Sequence, residues 1–264
     1  MAYILITGGT GGLGHEVVTH INLDRNRVRI MSRRSRPENL DARLEWAQAD
    51  LSSGNGLAEA VRGTQTILHL ATNPIHIHTV DVEGTRRLLE AARREQIKNF
   101  VYISIVGIEH FPKMGYYKSK IAAERLIESS GVPYTILRAT QFHSLVDMIL
   151  RAANHLPFLL LPTDFQGQPT DSGEVAAHLI QLGEEGAKGR VPDMAGPDLL
   201  RLGDMARTWL KTRQIRKAIT HLPVWGATAN AYRRGMNTAP AQVVGRVTWT
   251  EWVERTYGQL QEAL

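Results

Sequence analysis

The chain of 264 residues has 43% hydrophobic and 22% charged residues, an ordinary globular composition with ample core for one elaborated α/β domain. It has no cysteine, which excludes disulfides, thiolate catalysis and cysteine-ligated zinc. The net charge of +5 lies in short scattered clusters (Arg33-Arg34-Ser35-Arg36, Arg86-Arg87, Arg93-Arg94, Arg233-Arg234) without aromatic interleaving, so solvated helix faces and an anionic cofactor explain it better than nucleic acid.

In chain order, Tyr3-Ile4-Leu5-Ile6-Thr7 reads as a buried parallel strand. It enters the turn Gly8-Gly9-Thr10-Gly11-Gly12-Leu13-Gly14, and His15-Glu16-Val17-Val18 then opens a helix with Ile21 on the same face. In the spacing Gly8-x-x-Gly11-x-x-Gly14 the first glycine permits a sharp turn, the second lets the backbone approach a pyrophosphate, and the third lets helix pack closely on strand. Free N–H groups at the helix start, with the helix dipole behind them, favour phosphate. Gly8, Thr10, Gly11, Gly12, Leu13 and Gly14 are therefore the expected phosphate contacts of a dinucleotide site.

Further strands are expected at Arg27–Met31, Leu44–Ala49, Thr66–Ala71, Phe100–Ser104 and Tyr134–Arg138. Helices are expected at Gly56–Val61, across Val80 to Arg94, and from Tyr116 to Ser129. Strict alternation of strand and helix predicts an α/β, Rossmann-type doubly wound parallel sheet, with the ligand crevice at the carboxyl ends of its strands. Past about residue 145 prolines, glycines and tryptophans accumulate, and the β character fades. The expected division is a nucleotide-binding domain over 1–145 and a small, mostly helical C-terminal substrate cap over 146–264, interleaved with the sheet. Asp171-Ser172-Gly173-Glu174 reads as a capped helix start. The longest apolar run, Leu156 to Pro162, is too short to span a bilayer, and no basic leader or cleavage site precedes the first strand. A cytoplasmic protein without membrane contact is expected, as monomer or homodimer.

At the end of the second strand, where an acidic residue would hold a ribose 2′-hydroxyl, the chain has Ser32-Arg33-Arg34. Guanidinium groups bind a 2′-phosphate bidentately, so Arg33 and Arg34 point to NADP(H). Asp50 and Leu51, ending the third strand, are expected to flank the adenine, and Ala71 and Thr72 to line the path to the nicotinamide.

The helix after the fifth strand opens with Tyr116-Tyr117-Lys118-Ser119-Lys120, which puts Tyr116 and Lys120 on one face. An ammonium beside a phenol favours the phenolate and brings a group of pKa near 10 towards useful proton transfer. Ser104, ending the preceding strand, can hydrogen-bond a carbonyl, and Lys120 can also hold the nicotinamide ribose. Thr140, Gln141 and Phe142 follow the sixth strand and are expected to border the nicotinamide. His143 is a candidate auxiliary proton donor or a locally bonded helix-start residue, and His76 a candidate substrate contact. His76 and His78 alternate as metal ligands can, but no third ligand follows at a fitting spacing, so no metal is expected.

These motifs resemble a short-chain dehydrogenase/reductase, and within that superfamily the atypical NmrA-like NAD(P)H-binding group. The resemblance rests on Thr7 to Gly14, Ser32-Arg33, Tyr102 to Gly107, Tyr117 to Glu124 and Thr135 to Phe142. Gln168-Pro169-Thr170-Asp171 and Ala195-Gly196-Pro197 fit the group too, so the match covers nearly the whole chain. It implies NADPH and a reductase of a small, apolar or aromatic carbonyl, quinone or conjugated substrate, with Tyr116 as proton donor and Lys120 and Ser104 assisting. The same group contains proteins that bind the nucleotide without turnover and act as redox-sensing regulators with a protein partner. A third reading is a nucleotide-sugar epimerase or dehydratase, encouraged by Asp81-Val82-Glu83-Gly84-Thr85 and opposed by Arg33, Arg34 and the short C-terminal part.

Overall fold

The computed structural model describes residues 2–73 and 75–258; Met1, Pro74 and residues 259–264 lie outside the described part. In chain order the elements are β1 (Ala2–Thr7), α1 (Gly12–His20), β2 (Asn26–Ser32), β3 (Glu45–Gln48), α2 (Leu57–Val61) and β4 (Thr66–His69). A π-helical turn (His78–Gly84) leads into α3 (Thr85–Arg94), β5 (Asn99–Ile105), α4 (Gly115–Ser129), β6 (Tyr134–Ala139) and α5 (His143–Ala153). Then come β7 (Leu159–Leu161), β8 (Gln166–Gly167), α6 (Ser172–Glu185), β9 (Gly189–Arg190), β10 (Leu200–Arg201), α7 (Leu202–Thr212), β11 (Ile219–His221), α8 (Ala227–Arg233) and α9 (Trp249–Tyr257).

One sheet of seven strands runs in the order β3-β2-β1-β4-β5-β6-β9, flanked by helices. The pairs β1–β2, β1–β4, β2–β3, β4–β5 and β6–β9 are parallel. Residues 4–6, Ile67, Leu68, Phe100 and Val101 are 0% exposed, because helices cover both faces and the strands read as unbroken apolar runs. The order in which strands are added reverses between β1 and β4, and a doubly wound sheet offers its ligand crevice at the carboxyl ends of strands at such a switch point. The glycine turn follows β1 there, and Ala71-Thr72 follows β4.

The chain separates into two compact units that interleave in sequence. The first comprises the residues up to Ser104 with Met114–Arg138 and Ala176–Pro192; the second comprises Ile105–Lys113, Ala139–Val175 and the described residues from Asp193 onward. The first holds the sheet and the core around Leu5, Ile67, Leu88, Phe100 and Ile127. The regular structure of the second is chiefly helical. Its core gathers Leu150, Trp209, Trp249 and Val253 from α5, α7 and α9 with Leu159 from β7, and β7 pairs with β11 and β8 with β10.

The expected single helix across Val80 to Arg94 begins instead as the π turn. Thr85 opens the α-helical part, and its hydroxyl donates back to the Asp81 carbonyl at 2.7 Å. Thr85 Oγ1 then accepts from His69 Nε2 at 2.9 Å, which leaves Nδ1 to accept the Thr7 hydroxyl at 2.7 Å. Burial, with the Lys120 charge adding, holds His69 neutral with a pKa of about 3. This chain of bonds ties β1, β4 and the π turn together.

In the second unit Asp147, 6% exposed, accepts from Trp209 Nε1 at 2.7 Å and Tyr257 Oη at 2.6 Å, joining α5, α7 and α9. Asp147→Ala is expected to cost roughly 3 kcal/mol, since it strands a buried indole N–H and opens a void. Asp147→Asn keeps an acceptor and is expected to lose about half as much. Urea titration followed by tryptophan fluorescence reads both.

Candidate functional site

The glycine turn has the form its spacing predicts. Gly8 has φ +72°, and a Cβ there would stand 2.7 Å from Ala71 N, so the chain leaving β4 passes directly against the turn. A Cβ at Gly14 would fall on the Gly8 carbonyl oxygen and lie 2.6 Å from Gly9 Cα, which is the close helix–strand contact. Thr10, Gly11 and Gly12 are exposed; a Cβ at Gly11 would meet only Gly8 O, at 3.3 Å, and one at Gly12 nothing within 4 Å. Leu13 is half-buried. The turn is thus closed behind by its own backbone and open in front, a cradle fitting a diphosphate at the start of α1.

After β2, Arg33 and Arg34 are exposed, and their backbone carbonyls accept from Gln48 Nε2 (3.1 Å) and Trp46 Nε1 (3.0 Å). The loop is pinned while both guanidinium groups carry no bond among the described residues. Arg36 differs: it donates to Leu44 O (2.7 Å) and Asp41 O (3.1 Å), closing the loop from within. Asp50 is partly buried and accepts from Ser52 N at 2.8 Å, while Leu51 packs in the core under Gly84. Ala71 N donates to Thr7 Oγ1 at 3.3 Å.

Tyr116 and Lys120 share one face of α4, as their spacing requires. Tyr116 Oη lies 3.3 Å from the exposed Thr72 hydroxyl, so contacts run unbroken from Gly8 through Ala71 and Thr72 to Tyr116. The Thr72 hydroxyl donates to Asp81 Oδ1 at 2.6 Å, and Asn73 N donates to Asp81 Oδ2 at 3.0 Å. Lys120 is 3% exposed; its Nζ donates to Ile103 O at 3.2 Å, stands 4.0 Å from Asp81 Oδ1 and lies 4.7 Å over the Tyr102 ring. Burial pulls the Lys120 pKa down to about 8, opposed by the Asp81 and Glu124 carboxylates.

Two features depart from the sequence expectation. Tyr116 is not brought below its usual range by Lys120: burial pushes it up, and the Asp81 and Tyr117 charges add to the rise. The main reason is burial, which disfavours the phenolate, and the Asp81 charge adds to it. Ser104 is 2% exposed, its Oγ enclosed and without a hydrogen bond among the described residues. It sits close enough to Glu124 to favour that carboxylate. Burial pushes Glu124 up, yet Arg138 at 2.9 and 2.8 Å, with Ser104 and Arg190 behind it, holds the carboxyl below its usual range. The hydroxyl beside Tyr116 in this structure is Thr72.

Asp81 and Tyr102 also stand beside Lys120, a placement that the sequence does not announce. Tyr102 is 1% exposed, its hydroxyl also without a partner among the described residues, and its ring faces Lys120. The only signal for Asp81 is its place in Asp81-Val82-Glu83-Gly84-Thr85.

In the second unit, Thr140 is buried and donates to Gln168 O at 2.6 Å, and the Gln141 carbonyl accepts from Thr170 N at 2.9 Å. Phe142 is partly buried and caps α5. His143 is 1% exposed, flanked by the Trp249 and Trp252 rings, and its Nε2 donates to Val247 O at 3.1 Å. Burial holds it below its usual pKa, so it stays neutral and locally bonded. In the first unit His76 and His78 are exposed.

Fold, turn and basic loop together define a Rossmann-type dinucleotide-binding protein. Residues 8–155 match the family model described as NAD(P)H-binding, and the chain belongs to that family. Among curated relatives, the photosystem II assembly factor Ycf39 of Cyanophora paradoxa is 30% identical over 53% of this chain and 45% of its own, so the chain spans under half of that relative. An NmrA-like family domain-containing oxidoreductase of Aspergillus flavus is 25% identical over 67% of this chain and 60% of its own. Quinone oxidoreductase 2 of Escherichia coli is 25% identical over 83% and 76%. A crystal structure of NADPH-dependent quinone oxidoreductase from that bacterium, complexed with NADPH, matches with a TM-score of 0.77 at 20% identity, covering 96% of this chain and 99% of the other. No helix among the described residues is long and apolar enough to cross a membrane.

Proposed function

We propose that this chain is an NADPH-dependent reductase of a small carbonyl, quinone or conjugated substrate, with Tyr116 as proton donor. The observation that carries the reading is the unbroken run of contacts from the glycine turn to Tyr116, Lys120 and Asp81. A nicotinamide cofactor would supply hydride when bound. Backbone N–H groups of Gly12 to Gly14 would hold its diphosphate, the Gly11 N–H being taken by Gly8 O at 2.9 Å, while Arg33 and Arg34 would hold its 2′-phosphate and Lys120 its nicotinamide ribose. Tyr116 delivers the proton to the substrate oxygen or carbon that gains charge. Thr72 stands beside the Tyr116 hydroxyl, whereas enclosed Ser104 assists through the Glu124 network. Similarity to quinone oxidoreductase 2 supports a quinone or related apolar acceptor. The test follows NADPH absorbance with quinones, enones, aldehydes and imines in turn; oxidation that depends on one acceptor class is the expected result.

One observation favours a second reading. Leu145, Met148 and Ile149 form an exposed apolar row on α5, 41% to 59% exposed, and the Cyanophora relative carries the name of an assembly factor. A nucleotide-binding regulator with a protein partner would bind NADPH tightly and oxidise it with no acceptor.

The cofactor choice has its own test. Arg33→Ala combined with Arg34→Ala is expected to weaken NADPH binding about 10- to 100-fold, the worth of one or two charge-assisted bonds, and to leave NADH binding unchanged. Isothermal titration with each nucleotide measures both.

A further inference from the structure

We propose that Asp81 is the positioning residue of the proton-donating site: its carboxylate takes the hydrogen of the Thr72 hydroxyl and faces the Lys120 ammonium, so that the Tyr116 hydroxyl is set as a donor and Lys120 is held as an ammonium. This deepens the reductase reading and rests on it. Asp81 is 1% exposed, and its two oxygens are engaged differently. Oδ2 takes the Asn73 N–H at 3.0 Å, which fixes the carboxylate to the loop after β4. Oδ1 takes the Thr72 hydroxyl at 2.6 Å and stands 4.0 Å from Lys120 Nζ.

A threonine hydroxyl has one hydrogen. Because the carboxylate can only accept, and at 2.6 Å holds that hydrogen, Thr72 Oγ1 is left as an acceptor 3.3 Å from Tyr116 Oη. The Tyr116 hydroxyl is thereby set as the donor, and the negative charge behind Thr72 disfavours its ionisation. The same charge favours the ammonium of Lys120, whose pKa burial lowers. The other groups facing this ammonium are Glu124 on its own helix, the Tyr102 ring on β5, Tyr116, and neutral His69 on β4. Only Asp81 and Glu124 among them carry negative charge, and Glu124 is already bonded to Arg138 and Arg190. The π turn matters here because it is the local backbone that carries this carboxylate between Thr72 and Lys120.

The test is Asp81→Asn, which preserves shape and removes the charge. In the nucleotide-free protein, lysine side-chain NMR titration, with Lys120→Met to assign the signal, is expected to show Lys120 losing its proton about one pH unit or more below the wild type. The basic limb of the rate profile, where activity falls as Lys120 becomes an amine, is expected to move down by the same amount. A Lys120 titration that does not move, in a variant that still binds NADPH, overturns the proposal whatever the rate does. Should Asp81→Asn fail to fold, Thr72→Val at the exposed neighbour tests the other arm. It is expected to slow turnover about 10-fold, within the worth of one hydrogen bond to a charged group, with NADPH binding retained. A rate equal to wild type overturns that arm. Absence of turnover by the wild type would instead remove the reductase and leave the titration result standing.

Discussion

Tyr116→Phe is expected to lower acceptor-dependent NADPH oxidation roughly 10²- to 10⁴-fold while leaving NADPH affinity within about twofold of wild type. The asymmetry follows from position. The phenol oxygen reaches Thr72 and no part of the glycine turn or the arginine loop, so removing it takes away the proposed proton donor without touching the proposed diphosphate and 2′-phosphate seats. Tyr116 is also partly buried with its pKa raised, so at neutral pH it is a phenol and not a phenolate, the state that reduction needs. Stopped-flow measurement of NADPH oxidation beside equilibrium titration separates the two effects. Loss of rate and affinity together would make Tyr116 a binding residue; unchanged rate would give the proton to solvent or another group.

The sheet, the glycine turn and the Tyr116/Lys120 pair are legible in the sequence because each depends on local rules. Unbroken apolar runs mark strands covered on both faces, three glycines mark a turn whose Cβ positions are filled by backbone, and a four-residue spacing puts two side chains on one helical face. What is not legible depends on partners distant in sequence. Asp81 reads as one more acidic residue in an amphipathic segment, since neither the π turn nor the Thr85 back-bond leaves a mark in a helical period. The sign of the Tyr116 shift depends on the fold in the same way: with Lys120 alone in view the phenol should acidify, but burial, with the Asp81 charge adding, raises it. Ser104 reads as an open hydroxyl, but its alternation with Tyr102 along β5 turns both towards the buried Lys120 and Glu124 side. His143 likewise reads as a free helix-start imidazole until Trp249 and Trp252, more than a hundred residues on, are folded around it.

Gly14→Ala is expected to cost roughly 2–3 kcal/mol of stability and to weaken NAD(P)H binding about 100-fold or more. Judged by propensity alone the change should help, because alanine inside a helix is favoured over glycine by about 1 kcal/mol. Space decides the sign instead. The new methyl would fall on the Gly8 carbonyl oxygen and lie 2.7 Å from Gly8 C. The turn has little room to retreat, since Gly8 is itself packed against Ala71 and held at φ +72°. Either α1 tilts away from β1 or the turn opens, and both move the N–H groups that would face the diphosphate. Gly12→Ala is the matched control. Nothing lies within 4 Å of its Cβ position, so its melting temperature is expected to equal or exceed that of wild type. Its exposed place in the cradle nevertheless predicts weaker NADPH binding, because the methyl projects where the diphosphate approaches. Thermal melts with and without NADPH separate the four cases. A Gly14→Ala protein that melts early yet binds NADPH normally would detach the glycine turn from the cofactor, and a Gly12→Ala protein with wild-type affinity would move the phosphates away from the start of α1.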